Sequence, residues 1–228
     1  MKEGDFVHID YVGRLSATGE IFDLTDAELA KKEGIYSEKT RYGPALVIMG
    51  AHMVIPGIEK QLLQMKVGEG REFVVQPEEA FGKRNPRLVM VVSKAKFLKE
   101  NINPVPGMFI DIDGRQTKIQ AVSGGRVRVD MNNPLAGKEL RYSVKVVKQF
   151  EKPFDKVDAI VKHFMVKCET ELKEDKLTIT TDEPMHEFLK KMVEEPIKKW
   201  VKEIKTVEFA SKEQNKKAEE TKKTISEK

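Results

Sequence analysis

The sequence holds one cysteine, Cys168, and one tryptophan among 228 residues. A lone thiol cannot close an intramolecular disulfide, which fits a reducing compartment, and its plain reading is a small buried hydrophobe. Only four histidines occur, His8, His52, His163 and His186. No two have the spacing of a metal-binding helix and no cysteine cluster accompanies them, so no metal is expected. A phosphate-cradling loop is also missing, because Gly68-x-Gly70 closes a helical stretch and lacks a following Lys-Ser/Thr. No Ser-His-Asp order stands out. Covalent and metal chemistry are therefore not indicated, and no cofactor is expected. Apolar runs such as Leu88–Val92 fall far short of the roughly 20 residues of a membrane helix. Met1-Lys2-Glu3-Gly4-Asp5 offers no apolar signal core, so the expected location is cytoplasmic and no membrane partner is expected.

Charge of one sign is scarce as well. Lys+Arg number 41 against 37 Asp+Glu. Residues 1–150 hold 23 basic and 19 acidic side chains, net +4, and residues 151–228 hold 18 of each. Neither part is a polybasic block, so no nucleic-acid partner is expected. Arg115, Lys118, Arg126 and Arg128 read first as a solvated strand face and only second as a nucleic-acid contact.

What is present is a patterned core. Phe6 to Val12 alternates with period two and predicts a strand with one buried face. Glu20–Asp23 resumes extended structure after a turn. Asp26 can cap a short helix that Gly34 stops. Ala45–Met49 predicts a strand, and Ile55-Pro56-Gly57 a turn into a helix with Ile58, Leu62 and Met65 on one face. Arg71–Gln76 predicts the next strand. Residues 84–130 change texture: Leu88–Val92 is a β-branched run, Ser93–Asn101 a short helix, and 108–112, 118–122 and 126–130 a meander with a hairpin signal at Asp113-Gly114. Leu140–Val147 alternates again. After a linker at Glu151-Lys152-Pro153 the pattern predicts a helix over Val157–Met165, a strand over Leu177–Thr181, helical stretches over Met185–Ile204 that Pro196 kinks or divides, and a short strand at Thr206–Ala210. Ser211–Lys228 is a Lys/Glu-rich polar tail.

Apolar and aromatic residues gather near turns: Tyr11, Phe22, Ile55, Ile58, Phe81, Leu135 and Tyr142, with Asp23 directly after Phe22. From pattern alone they are either the core of a half-open sheet or the walls of an apolar cleft.

Four ordered strings narrow that choice. Gly4-Asp5-Phe6-Val7-His8-Ile9-Asp10-Tyr11-Val12-Gly13 runs on to Thr18-Gly19-Glu20-Ile21-Phe22-Asp23. Val54-Ile55-Pro56-Gly57-Ile58-Glu59 is followed by Met65-Lys66-Val67-Gly68-Glu69. Pro77-Glu78-Glu79-Ala80-Phe81-Gly82 and Leu135-Ala136-Gly137-Lys138-Glu139-Leu140-Arg141-Tyr142 complete the set. Together they resemble FKBP-type peptidyl-prolyl cis/trans isomerases. Residues 84–130 separate the last two strings, which resembles the SlyD-type branch with its insert-in-flap domain. The 26–54 region and the C-terminal addition are similar to long archaeal-type members.

The resemblance implies an α+β fold, an antiparallel sheet wrapped on one helix, with an inserted small β-rich domain and a C-terminal α/β domain. It implies an isomerase domain from 1–85 plus 131–150, an insert from 86–130 with chaperone character, and a C-terminal domain from 151–228 with the tail from about 211. Tyr11, Phe22, Ile58, Phe81 and Tyr142 would wall the prolyl pocket. Asp23 would sit at its rim, Ile55 would offer its backbone N–H, and Leu135 would cover it from the flap. Met90, Val92, Phe97 and Met108 of the insert would grip unfolded chain, Met being suited to promiscuous contact. Ile58 stands where Trp is common, Phe81 where Tyr is common and Ala45 where an aromatic is common, which argues against tight macrolide binding more than against catalysis. A His-rich metal-binding tail is absent. The implied activity is rotation of X-Pro bonds in unfolded or partly folded polypeptides, with a non-catalytic peptide-binding chaperone on the same fold as the alternative. The C-terminal part reads as a small independent unit and a candidate homodimer contact.

Overall fold

The computed structural model describes residues 1–112, 114–164 and 167–212. Its elements are β1 (Phe6–Leu15), β2 (Ile21–Leu24), α1 (Ala27–Lys32), β3 (Ala45–Ile48), α2 (Pro56–Leu62), β4 (Gly70–Val75), β5 (Val89–Ser93), α3 (Lys94–Lys99), β6 (Phe109–Ile112), β7 (Arg115–Ser123), β8 (Arg126–Asp130), β9 (Leu140–Phe150), α4 (Pro153–Phe164), β10 (Glu169–Lys173), β11 (Lys176–Thr181), α5 (Glu187–Trp200) and β12 (Thr206–Ser211).

The principal sheet is antiparallel, in the order β2-β1-β9-β4, with β3 also paired to β1. Period-two alternation decides which side chain meets which layer. On β1, Val7 and Ile9 point toward α2, where they join Ile58, Leu62 and Met65. Phe6 points the other way, into a second core with Leu46, Ile48 and Phe150. On β3 and the residue after it the consecutive run Leu46, Val47, Ile48, Met49 is shared between the two faces, Leu46 and Ile48 on one and Val47 and Met49 on the other. A strand buried on both faces reads as a continuous apolar run, and this one does.

That second core belongs to the C-terminal part. Val157, Ala159, Ile160 and Val161 of α4, Leu177 and Ile179 of β11, and Val193 and Ile197 of α5 pack in the same cluster as Phe6, Leu46, Ile48 and Phe150. The expectation of an independent C-terminal unit is therefore corrected. Its hydrophobic face is completed by the outer face of the principal sheet, because three short strands and two helices offer too little of their own surface to bury. Its sheet has the order β10-β11-β12, with β11 and β12 parallel and α5 as the crossover between them. The helix over 187–200 runs through Pro196 without a division. Pro196 lies four residues from the helix end, and the buried stripe Val193, Ile197, Val201 holds the last turn in place.

The insert forms a four-stranded antiparallel sheet, β5-β8-β7-β6, on a core of Phe97, Ile110, Ile119, Val127 and Val129. Asp113 of the expected Asp113-Gly114 turn lies outside the described residues, as do Met165 and residues 213–228 of the expected tail; Ser211 is buried at the end of β12. Two chain crossings join the insert to the principal sheet. They are laced by the Arg84–Asp130 ion pair, by Asn85 N–H to Asn132 Oδ1 at 2.8 Å, by Asn132 Nδ2 to the Asn85 carbonyl at 3.0 Å, and by Gly137 N–H to the Gly82 carbonyl at 2.8 Å. Among the described residues no helix is long and apolar enough to cross a membrane, which says nothing about strands.

Candidate functional site

The site grows from the face of the sheet that meets α2. Tyr142 on β9 is 3% exposed and stands at its centre. Phe22 on β2 meets it edge-on, with centroids 5.7 Å apart at 88°. Tyr11 on β1 lies tilted at 6.3 Å, and Phe73 on β4 is stacked at 6.4 Å. These are the offset and edge-to-face arrangements that aromatic quadrupoles favour. The registers produce them: Gly13 pairs with Tyr142 across β1–β9, and Phe73 pairs with Tyr142 across β4–β9. Gly13 leaves space between rings, since a Cβ there would come 2.8 Å from Phe22 Cζ and 2.9 Å from Tyr142 Cε1.

The turn into α2 supplies a second wall. Ile55 occupies the N-cap position in an extended conformation, Pro56 starts the helix with its φ already helical, and Ile58 is buried at 4% exposure. The Ile55 carbonyl accepts from the N–H groups of Ile58 and Glu59, at 3.0 and 3.2 Å. Its own N–H donates no hydrogen bond among the described residues, so it is available to a carbonyl of a bound chain. Gly57 must be glycine because a Cβ would collide with the buried side chain of Val75.

Phe81 and Leu135 pack half-buried against the same cluster from the loops that flank the insert. The Leu135 N–H is held at 2.8 Å by the Asn133 side chain. Asp23 is exposed at the rim and accepts the Tyr11 hydroxyl at 2.8 Å. Burial, then this hydrogen bond to a carboxylate, raises the Tyr11 pKa beyond the ordinary phenol range. Burial, then the Asp23 charge, does the same to Tyr142. Both phenols are neutral at any physiological pH.

The eight residues expected at the prolyl site thus converge: seven lie in one apolar cluster and Asp23 is tied to it through Tyr11. Phe73, Val54 and Ala80 also pack there and the sequence reading passed over them. Phe73 was reachable from the alternation of Arg71–Gln76, which puts it on the face of Tyr142 once β4 is set beside β9. The insert residues divide. Met90 and Met108 are exposed at 49% and 39%. Phe97 is buried at 6% in the insert's own core and Val92 packs against that core. Phe97 is therefore corrected from client contact to structural anchor; a 45-residue unit has few large side chains and uses this one to fill its centre.

The family model described as FKBP-type peptidyl-prolyl cis-trans isomerase matches residues 1–99, and a model described as FKBP26, IF domain, matches residues 90–135. The short-type peptidyl-prolyl cis-trans isomerase of Methanocaldococcus jannaschii is 36% identical over 146 residues, covering 64% of this chain and 92% of that protein. The chain belongs to the FKBP family of peptidyl-prolyl cis-trans isomerases. The FKBP-type 16 kDa peptidyl-prolyl cis-trans isomerase of Escherichia coli K12 is 30% identical over 130 residues, 54% of this FKBP and 87% of its own length. The SlyD of Helicobacter pylori is 37% identical over 130 residues, 55% of this FKBP and 63% of its own length. The IF-domain match falls on the sheet β5-β8-β7-β6, so this FKBP is of the type that carries an insert in the flap.

Proposed function

We propose that this FKBP turns X-Pro bonds of unfolded or partly folded polypeptides at the apolar cluster around Tyr142, with Tyr11, Phe22, Ile58, Phe81 and Tyr142 as walls, Leu135 as cover, Asp23 at the rim and the Ile55 N–H as the contact to the client backbone. The observation that carries the reading is the convergence of these side chains beside a backbone donor with no partner among the described residues. The planar amide resists rotation by roughly 18–20 kcal/mol because resonance must be broken. The twisted amide is less dipolar than the planar one, so an apolar surface favours it, and each tenfold in rate requires about 1.4 kcal/mol of that preference. No bond to the protein is made and no proton is moved.

The division of labour follows the three sheets of the described residues. Residues 1–85 and 131–150 form the isomerase unit and 86–130 a grip for extended client, with exposed Met90, Met108 and Phe109 as its contacts. Residues 151–228 pair two copies of the chain, which would give long clients two grips. Exposed Phe188 and Met192 on α5 support that contact. The setting is cytoplasmic, in keeping with a single cysteine.

The test is cis/trans exchange in a short Leu-Pro peptide by NMR, alongside refolding of a proline-limited protein. Catalytic amounts of the full chain are expected to accelerate both. Removal of 86–130 is expected to spare the peptide and slow the refolding. Acceleration of neither, with peptide still bound, would favour the non-catalytic chaperone. Equal losses on both substrates would remove the separate role of the insert.

A further inference from the structure

Beside the prolyl cluster a second cavity, of about 490 Å³, opens from the same rim. Tyr11 belongs to both, and Asp23, which accepts its hydroxyl, lines the cavity's mouth. The cavity runs between the loop before β3, the end of β9 and helix α4, so the C-terminal part builds one of its walls. Its charges are unevenly satisfied. Asp158 is paired with Lys162 at 2.8 Å, and Asp23 accepts from Tyr11 at the mouth. Arg41 and Lys148 have no carboxylate within ion-pair distance among the described residues. Arg41 instead donates through Nη1 to the carbonyls of Lys162 and His163, at 2.8 and 3.3 Å, at the C-terminal end of α4. Lys148 lies 4.7 Å over the Phe150 ring. Two permanent cations thus face the cavity with no anion of their own.

Two imidazoles also line the cavity. His8 pairs with Lys148 across β1–β9, and His163 stands in the last turn of α4 beside Arg41. Burial and then Lys148 hold the His8 pKa below the ordinary histidine range, with Asp10 opposing. Desolvation and then Arg41 do the same for His163. Each neutral ring still presents one N–H donor.

We propose that this cavity is a subsite for an acidic side chain of the client polypeptide, occupied while the client's proline sits against Tyr142. The inference rests on the isomerase reading above. A chain leaving the prolyl cluster over Asp23 enters the cavity, and an extended chain advances about 3.3 Å per residue. An acidic residue next to the proline meets Asp23 and is disfavoured. One placed two to four residues away meets Arg41, Lys148 and the two imidazoles.

The experiment compares exchange of Leu-Pro peptides carrying Glu, Gln or Lys two, three or four residues from the proline, on each side in turn. For one placement, kcat/KM for Glu is expected to exceed that for Lys by roughly three- to tenfold at low salt, the range of one or two solvent-accessible ion pairs. The ratio is expected to shrink at 1 M salt, where the screening length falls to about 3 Å. Lys148→Gln and Arg41→Gln are expected to bring the Glu-to-Lys ratio toward one. Because Arg41 also binds the end of α4, Lys148→Gln, whose side chain holds no backbone group, keeps the test clear of a lost contact to that helix end. Acceleration of the Gln peptides with equal rates for Glu and Lys at every placement would overturn the subsite alone. No acceleration of any peptide would overturn the isomerase reading and the subsite with it.

Discussion

Gly13 and Gly57 are ordinary residues in the sequence and tight ones in the fold. A methyl group at Gly13 has no space between Phe22 and Tyr142, and one at Gly57 strikes Val75. Overpacking of this kind costs about 1–3 kcal/mol. Both alanine variants are expected to unfold at lower urea, with an unchanged dependence on urea concentration. Gly13→Ala displaces two rings of the site, so its exchange activity is expected to fall about tenfold or more while Gly57→Ala keeps a larger share. Equal activity of Gly13→Ala and the parent would show that those rings do not shape catalysis. The phenol of Tyr11 gives a second residue-scale prediction. Its pKa is raised in the fold relative to the unfolded chain, so its contribution is complete below about pH 10 and is lost as pH rises above that. Urea midpoints from pH 9 to 11 are expected to fall less steeply in Tyr11→Phe than in the parent. The apolar cluster around Tyr142 was legible at this scale because its residues gather near turns and fall in four ordered strings. Gly13 was not, because its reason lies in the pairing of β1 with β9.

Strands with clear alternation, β1 and β9, were legible, as were the continuous apolar run of β3 and the Asp26 cap, which accepts from Glu28 N–H and Leu29 N–H at 2.9 and 3.0 Å. β10 was not: Glu169, Glu171 and Lys173 face outward and only Leu172 is strongly apolar, the pattern of an exposed edge strand. The unbroken helix through Pro196 shows tertiary burial overriding a local breaker. The seam between α4 and the principal sheet carries the pH dependence. His8 and His163 have lowered pKa values in the fold, so their contribution is present above about pH 6.5 and is lost as pH falls through the folded values. Stability is expected to decline from pH 7.5 to 5.5, and to decline less in His8→Gln. An identical acid slope in that variant would remove His8 from the account.

Across the whole molecule, the shared core of the principal sheet and the C-terminal part is the feature least visible in sequence. Phe6, Leu46, Ile48 and Phe150 read as the second face of ordinary strands, and nothing local says which element will cover them. A chain ending at residue 150 would expose all four, at about 1.5–3 kcal/mol for each large side chain returned to water. Such a chain is expected to melt at lower temperature and to bind a hydrophobic dye. Equal stability of the two chains would mean that the C-terminal part is independent after all.

The central claim is catalysis by an apolar surface without proton transfer. Its most direct test is the exchange rate of a Leu-Pro peptide at pH 6, 7 and 8, for the parent and for Tyr142→Ala, with the fold of the variant confirmed by its NMR spectrum. The account predicts a rate nearly flat with pH in the parent and a loss of most of the acceleration in the variant. A bell-shaped profile, or a folded Tyr142→Ala that retains the parent rate, would contradict it.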